Sequence, residues 1–449
     1  MGKVQIYLGD CRAILDTLQP NSAHCVVTSP PYWGLRKYEG VNPCIWGGNP
    51  DCDHEWGEEQ KVVRGHPGKK STIAGTQTAD LSKSVGGQGQ FCQHCNAWSG
   101  CLGLEPTPQL FIQHLVGIFE QVRRVMRSDS VCLLNIGDSY TSGGGEGHGT
   151  RQGYKQQTNR GMNGTRDPQR PPQPLGLKPK DLCLIPERLA IALQENGWWV
   201  RARIAWCKLA PMPESVTDRP TSAWEHVWVL AKSATYFWDK EGVKEKAVAD
   251  HASGNGFNRQ YQLSRGGRGR KEQWNPEEGM SGRNIRNWLA LPPEPTRFAH
   301  FATMPTRLAD ICIRAGTSAK GCCPSCGAPW ARVVERYRTH NGERDDDLGA
   351  WRNTDPGSPI GAQGDGHWRY GTVSETKGWK PTCKCGLEET IPCTVLDPFA
   401  GSGTTGLVAN RLGRDSVLID ASAAYIELMK QRIEADMPLL TQITIRPSP

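Results

Sequence analysis

The sequence predicts an α/β fold, a parallel sheet covered by helices on both faces and interrupted by long polar insertions. Three observations carry that prediction. Short apolar runs such as VQIYLG (3–8), AHCVVT (23–28), SVCLLNI (130–136), TVLD (394–397) and SVLID (416–420) alternate with stretches of helical apolar spacing. Near the C-terminus a strand, a Gly-rich turn, a helix and a second strand ending in an acid follow in order. Finally, the 449 residues are only 37% hydrophobic, yet they include 16 Trp, 10 Tyr and 8 Phe, enough for a core that carries polar loops.

Composition also excludes classes. No run of about 18 apolar residues exists, so no membrane span is expected. The start MGKVQIYLGD lacks a charged segment followed by an apolar one, and Ile6 stands where myristoylation wants Ser or Thr, so neither export nor a lipid anchor is expected. The net charge of +7 is compatible with a nucleic-acid partner without requiring one. In a chain kept inside the cell, closely spaced pairs among the 17 cysteines read as metal ligands before disulfides.

Taken in order, the strand at 3–8 leads to a helix from about Cys11 to Leu18 and the strand at 23–28. Residues 106–126 carry apolar positions at helical spacing and precede the strand at 130–136. From about Thr141 to Pro174 the chain is Gly, Gln, Asn, Arg and Pro, which predicts a polar loop. A helix near 185–196, strands at 198–206 and 225–231, and a second polar stretch at 251–290 follow. A helix near 305–315 leads into cysteine-rich polar insertions up to about 392, before the final unit with helices near 403–412 and 422–435.

Two motifs carry chemistry. In TVLDPFAGSGTTG the glycines after Asp397 let the backbone approach a ligand at the strand's carboxyl end, and helix N-terminal amides favour an anionic group. Asp420, ending the next strand, can accept both hydroxyls of a ribose, so the pattern reads as a nucleoside-cofactor site. The second motif, TSPPYWG (28–34), directly follows a strand. Each proline pushes the preceding residue to extended geometry, so Ser29 and Pro30 present carbonyls beyond the strand end beside flat aromatic faces. That suits a planar group bearing an amine.

Together, DPFAGSGTT and TSPPYW resemble the cofactor and catalytic motifs of amino-methylating DNA methyltransferases. Because the catalytic motif comes first, the chain resembles the beta class, of the type found in phages and restriction-modification systems. Segments Gly9–Asp10, LNIGDSY (134–140), RARIAWCK (201–208), KSATYFWD (232–239) and HFATMPTRLADICIRAGT (300–317) resemble it as well. The resemblance implies a Rossmann-like, S-adenosylmethionine-dependent sheet in circularly permuted motif order. It implies that Ser29 and the Pro30 carbonyl accept hydrogens from the target amine, that Pro31 holds the turn, and that Tyr32 stacks on a base flipped from double-stranded DNA. It assigns Asp397, Phe399, Gly401, Ser402, Gly403 and Thr404 to the cofactor loop and Asp420 to the ribose. Asp10 falls near the adenine or the amine, and His300 and Phe301 to the methionine side. The leading Ser29 points to N4 of cytosine, with N6 of adenine the alternative. An RNA or protein methyltransferase, or a zinc-ribbon binder without activity, is the remote reading. A cognate restriction nuclease, a monomer or homodimer, and the cytoplasm of a bacterial cell complete the expectation.

Four ligands each, the number a structural zinc needs, come from Cys52, His54, Cys92 and Cys95 and from Cys323, Cys326, Cys383 and Cys385. Cys44 could replace His54, and Cys322 could replace Cys323; the remaining cysteines read as structural, Cys25 among them as a buried strand residue. Arg265, Arg268, Arg270, Lys271, Trp274, Arg283 and Arg286, with the loop around Arg151, Lys155, Arg160 and Arg166, are candidate phosphate or groove contacts, a solvated loop being the other reading of each. The expected organisation is a catalytic part at 1–40 and 100–240, a Cys/His insertion at 41–99, and target recognition at 241–299. A cofactor part at 300–320 and 390–440 encloses a cysteine-rich insertion at 321–389.

Overall fold

The computed structural model describes residues 2–34, 40–59, 89–141, 176–214, 216–246, 282–294, 304–340, 343–344, 370–438 and 442–447. In chain order the first half holds β1 (Lys3–Leu8), α1 (Cys11–Thr17), β2 (Ala23–Thr28), β3 (Cys44–Trp46), β4 (Gln90–Phe91), β5 (Trp98–Gly100), α2 (Pro108–Val125), β6 (Met126–Ile136), α3 (Ile185–Glu195), β7 (Trp199–Lys208) and β8 (Trp224–Ala231). The second half holds β9 (Glu245–Lys246), β10 (Gly282–Arg283), β11 (Trp288–Leu291), α4 (Thr306–Gly316), β12 (Ala331–His340), β13 (Glu343–Arg344), β14 (Tyr370–Lys380), β15 (Thr394–Asp397), α5 (Thr404–Arg411), β16 (Asp415–Asp420), α6 (Ala423–Asp436) and β17 (Gln442–Pro447). The chain divides into two units. One comprises Met1–Tyr236, Trp288–Ala309 and Thr394–Pro449, the other Phe237–Asn287 and Asp310–Cys393.

The first unit is built on a sheet in the order β11-β7-β8-β6-β2-β15-β16-β1-β17. It is mixed rather than wholly parallel, because β8 runs antiparallel to both β6 and β7. All other pairings in it are parallel. Both faces are covered. On β16, Leu418 lies under α5 and α6, where a Cβ on Gly406 would meet it at 2.3 Å, while the next residue, Ile419, joins the core formed with α1, α2 and α3. In α2, Phe111, Leu115, Ile118, Phe119 and Val122 are fully buried, and each contributes roughly 1.5–3 kcal/mol of burial energy. Thr107 caps that helix, its Oγ1 accepting from Leu110 N at 3.2 Å, and Pro108 supplies the fixed first residue.

A small antiparallel sheet, β3-β5-β4, also belongs to this unit. Its Trp46 and Trp98 stack on His114 of α2 at 4.5 and 5.4 Å. In the second unit β12 pairs antiparallel with β13 and β14, a hairpin in a region expected to be irregular. There Arg332 donates to both Asp239 oxygens at 2.9 and 2.8 Å and lies 4.5 Å over Trp379. The edge strands β11 and β17 also add to the expected set. No helix among the described residues is long and apolar enough to cross a membrane.

Candidate active site

The sheet's orientation decides what meets at the site. The carboxyl ends of the parallel strands β1, β2, β6, β15 and β16 open on one edge, and the order turns back at the β2–β15 pair, the place where open α/β sheets bind ligands. Antiparallel β8 brings its amino end, Trp224–His226, to that edge, and β7 brings Lys208. A cavity of about 1090 Å³ lies there. Of the expected residues it is lined by Asp10, Ser29, Pro30, Pro31, Tyr32, Asp397, Phe399, Gly401, Ser402, Thr404 and Asp420.

The SPPYW segment is held from behind. Trp33, 3% exposed, donates through Nε1 to the Glu105 carbonyl at 2.9 Å, and Gly34 N donates to Gly103 O at 2.7 Å. Glu105 is fully buried; burial pushes its carboxyl up, opposed by His114 and by the Gly103 N–H, which donates to it at 2.8 Å. In front, the Tyr32 hydroxyl donates to Glu225 at 2.6 Å and receives Ser29 Oγ at 3.4 Å. Its ring lies so close to Gly137 that a Cβ there would meet Tyr32 Cε2 at 2.5 Å.

On the other side of the cavity, Gly401 and Gly403 turn the chain with φ +51° and +76°, and Gly403 ends the turn at the α5 N-terminus. A Cβ on Gly403 would strike Met429 at 2.2 Å, so only glycine fits there. Arg432 of α6 fastens the loop from below, donating to the Ser402 carbonyl and hydroxyl at 2.5 and 2.6 Å. Asp397 receives Thr28 Oγ1 at 2.6 Å and Phe399 N at 3.1 Å; burial pushes its carboxyl up to about 6 against those bonds. Asp420 receives Gly401 N and Ser422 N, both at 2.8 Å, and burial pushes it up to about 7. Asp10 differs. Burial would raise it, but Arg12, donating through its backbone at 2.9 Å and its guanidinium at 2.5 Å, holds it below the usual carboxylate range. Its carboxylate caps α1, so it is already committed when a ligand arrives.

Both cysteine sets assemble. The ligand atoms of Cys52, His54, Cys92 and Cys95 lie within 4.8 Å of one another, as do those of Cys323, Cys326, Cys383 and Cys385 in the second unit. In the first set a Cβ on Gly48 would meet Cys95 Sγ at 2.8 Å, so the turn is shaped around the sulfur. Three thiols with an imidazole, and four thiols, are donor sets that suit zinc. Cys44 instead lines the cavity, and Cys322 donates to the Ile391 carbonyl at 3.5 Å. Cys25 is fully buried in β2.

His300 and Phe301 lie outside the described residues, as do Arg151, Lys155, Arg160, Arg166, Arg265, Arg268, Arg270, Lys271 and Trp274. Arg283 is described through its backbone only, in β10. Arg286 is paired with Glu245 at 2.8 Å. The residues that sequence reasoning missed are Glu225, Asn135 and Lys208. A lone acid opening the apolar run HVWVLA was a signal, but only the direction of β8 brings it to the site.

The DNA methylase family profile matches residues 23–323 and 393–431. Among curated proteins, the type II methyltransferase M.Cfr9I of Citrobacter freundii is 34% identical over 96% of this chain and 88% of its own length. The type II methyltransferase M.SmaI of Serratia marcescens is 29% identical over 96% of this chain and 90% of its own. Among solved structures, the PvuII DNA methyltransferase (cytosine-N4-specific) is 12% identical, covering 99% of this chain and 95% of that one, with a TM-score of 0.44. With the motifs converging on one cavity, and the family profile and the curated relatives spanning most of the chain, it belongs to the restriction-modification DNA methylases that move a methyl group from S-adenosylmethionine to the exocyclic amine of cytosine or adenine.

Proposed function

We propose that the chain methylates N4 of cytosine in double-stranded DNA, with the target base turned out of the duplex into the cavity. The observation that carries this is the residue at the head of the tetrapeptide, a hydroxyl at Ser29 rather than a carboxylate, standing in the cavity wall next to Tyr32. Ser29 Oγ and the Pro30 carbonyl accept the two amine hydrogens, which turns the nitrogen lone pair toward the donor. Pro31 keeps the turn extended, and the Tyr32 ring stacks on the base. S-adenosylmethionine supplies an electrophilic methyl group on a sulfonium. The cavity's residues suit it: Asp420 would accept from the ribose hydroxyls, the glycine turn of 401–403 leaves room that a Cβ would fill, and Phe399 and Thr404 line the same wall. His300 and Phe301 are assigned to its methionine side. In-line attack needs no nucleophilic side chain, so the protein's part is positioning and electrostatics.

The same reading gives each cysteine set one zinc, closed by four protein ligands and structural in role. Of the phosphate and groove contacts, Arg265, Arg268, Arg270 and Lys271 are placed in a target-recognition region at 241–299. The enzyme acts as a monomer or homodimer in a bacterial cytoplasm, protecting sites that a cognate nuclease would cut. Incubating the purified chain with labelled S-adenosylmethionine and unmethylated genomic DNA, followed by nucleoside mass spectrometry, tests the base. N4-methylcytosine supports the proposal, and N6-methyladenine would replace the target while keeping the enzyme class.

A further inference from the structure

We propose that Glu225 is a positioning residue for methyl transfer, acting on Ser29 through the hydroxyl of Tyr32. The inference rests on the reading that Ser29 receives the target amine. Glu225 stands at the amino end of β8, in the cavity wall, with its side chain 13% exposed. Lys208 Nζ pairs with its Oε1, and Asn135 Nδ2 donates to Oε2 at 3.2 Å and to the His226 carbonyl at 3.0 Å. The remaining donor to Oε2 is the Tyr32 hydroxyl at 2.6 Å, and Ser29 Oγ lies 3.4 Å from that hydroxyl.

These contacts have a direction. A carboxylate only accepts, so Tyr32 must spend its one proton on Glu225. The Asn135 carbonyl oxygen competes at 3.3 Å, but the shorter bond to a charged acceptor is the stronger. The Tyr32 oxygen then turns its lone pairs toward Ser29, whose proton points to Tyr32. Both lone pairs of Ser29 Oγ are thereby left facing the cavity, as acceptors for an amine hydrogen. Without the carboxylate the Tyr32 proton keeps only the longer, neutral bond to Asn135 Oδ1, so the direction of the chain is held weakly and Ser29 can present its proton to the amine instead of its lone pairs. The chain Glu225–Tyr32–Ser29 thus gives a neutral hydroxyl the fixed acceptor character that a carboxylate has by itself, and Lys208 and Asn135 fix the end of the chain.

The test compares Glu225→Gln, Tyr32→Phe, the double variant and Ser29→Ala in single-turnover methylation of a short duplex. Affinities for duplex and for S-adenosylmethionine are measured by calorimetry on each, and base extrusion by 2-aminopurine fluorescence. Tyr32→Phe keeps the ring and removes only the hydroxyl. Each single change at Glu225 or Tyr32 is expected to slow transfer by roughly 10- to 100-fold, with both affinities and the fluorescence within about twofold of the wild type. The double variant is expected to be no slower than the slower single, because one chain is broken once. Losses that multiply in the double variant, or a Glu225→Gln variant that transfers at the wild-type rate, overturn the inference. Lost affinity with an unchanged transfer rate overturns it too, since Glu225 would then be merely structural. A Ser29→Ala variant at full rate instead removes the reading on which the chain rests.

Discussion

Gly137 has no side chain, and the Tyr32 ring occupies the space one would need. A methyl group added there would stand 2.5 Å from Tyr32 Cε2, with Gly137 directly following β6 and Tyr32 on the segment that follows β2. The backbone of β6 is fixed by β2 and β8 on either side, so the ring is the part that moves. Gly137→Ala is therefore expected to lower kcat by about 10²-fold, the cost of displacing a catalytic group by about an ångström. Affinity for S-adenosylmethionine, measured by calorimetry, stays unchanged because the glycine turn and Asp420 lie on other strands. Equal losses in both quantities would mean that the whole cavity had deformed. Behind the same segment, Trp33 acts as its anchor. Trp33→Ala removes a side chain that is 3% exposed and is expected to destabilise the protein by roughly 3–5 kcal/mol, read as a fall in the denaturant midpoint.

At the level of elements, the small sheet β3-β5-β4 packs Trp46 and Trp98 against α2, and a zinc on the Cys52, His54, Cys92, Cys95 set, two of whose ligands fall between β4 and β5, is expected to close it. The sheet matters to the site because Trp46 and Cys44 line the cavity, and Arg12, which holds Asp10, lies 3.9 Å over the Trp46 ring and donates to the Ile45 carbonyl at 2.8 Å. Metal analysis of the purified chain is expected to give two zinc ions per chain, falling to one in Cys52→Ser and to one in Cys383→Ser. Cys52→Ser should also weaken methyl transfer, because it loosens the small sheet whose Trp46 lines the cavity. A chain with no zinc and full activity would refute this. The cysteine sets were legible in sequence because ligand spacing is local, and so was the helix–strand order, because apolar period is local. β8 was read as a strand, but its direction was not, since a strand's pattern is the same from either end. With the direction went Glu225. The β12–β14 hairpin escaped as well: its strands carry Arg, Glu, Thr and Lys on positions that a buried strand would fill with apolar residues.

For the whole molecule, the permuted order means that β15 and β16, last in sequence but for β17, complete the middle of the sheet. Asp397 is thereby buried and Asp420 half-buried in the cavity wall, and this ties stability to pH and to the methyl donor. Burial raises both in the folded chain, Asp397 to about 6 and Asp420 to about 7, from 3.8. A carboxyl raised by folding binds its proton more tightly in the native state, so the native state holds more protons than the unfolded one between about pH 4 and 7. Stability from this source is full below the unfolded value and is lost as pH rises through 6 and 7. Ribose hydroxyls need the opposite form, an ionised Asp420 that accepts from both. Donor affinity is therefore expected to rise with pH, by at most about tenfold per unit, and to level off above 7. Since a ligand that binds only the native state stabilises it in proportion to the logarithm of its affinity, the gap in Tm with and without saturating S-adenosylmethionine should widen from pH 5.5 to pH 8. Taking the gap, rather than either Tm, cancels every group whose titration the donor does not alter. A gap that stays constant or narrows over that range would show that Asp420 is not the ribose acceptor, and the cofactor half of the site would have to be reassigned.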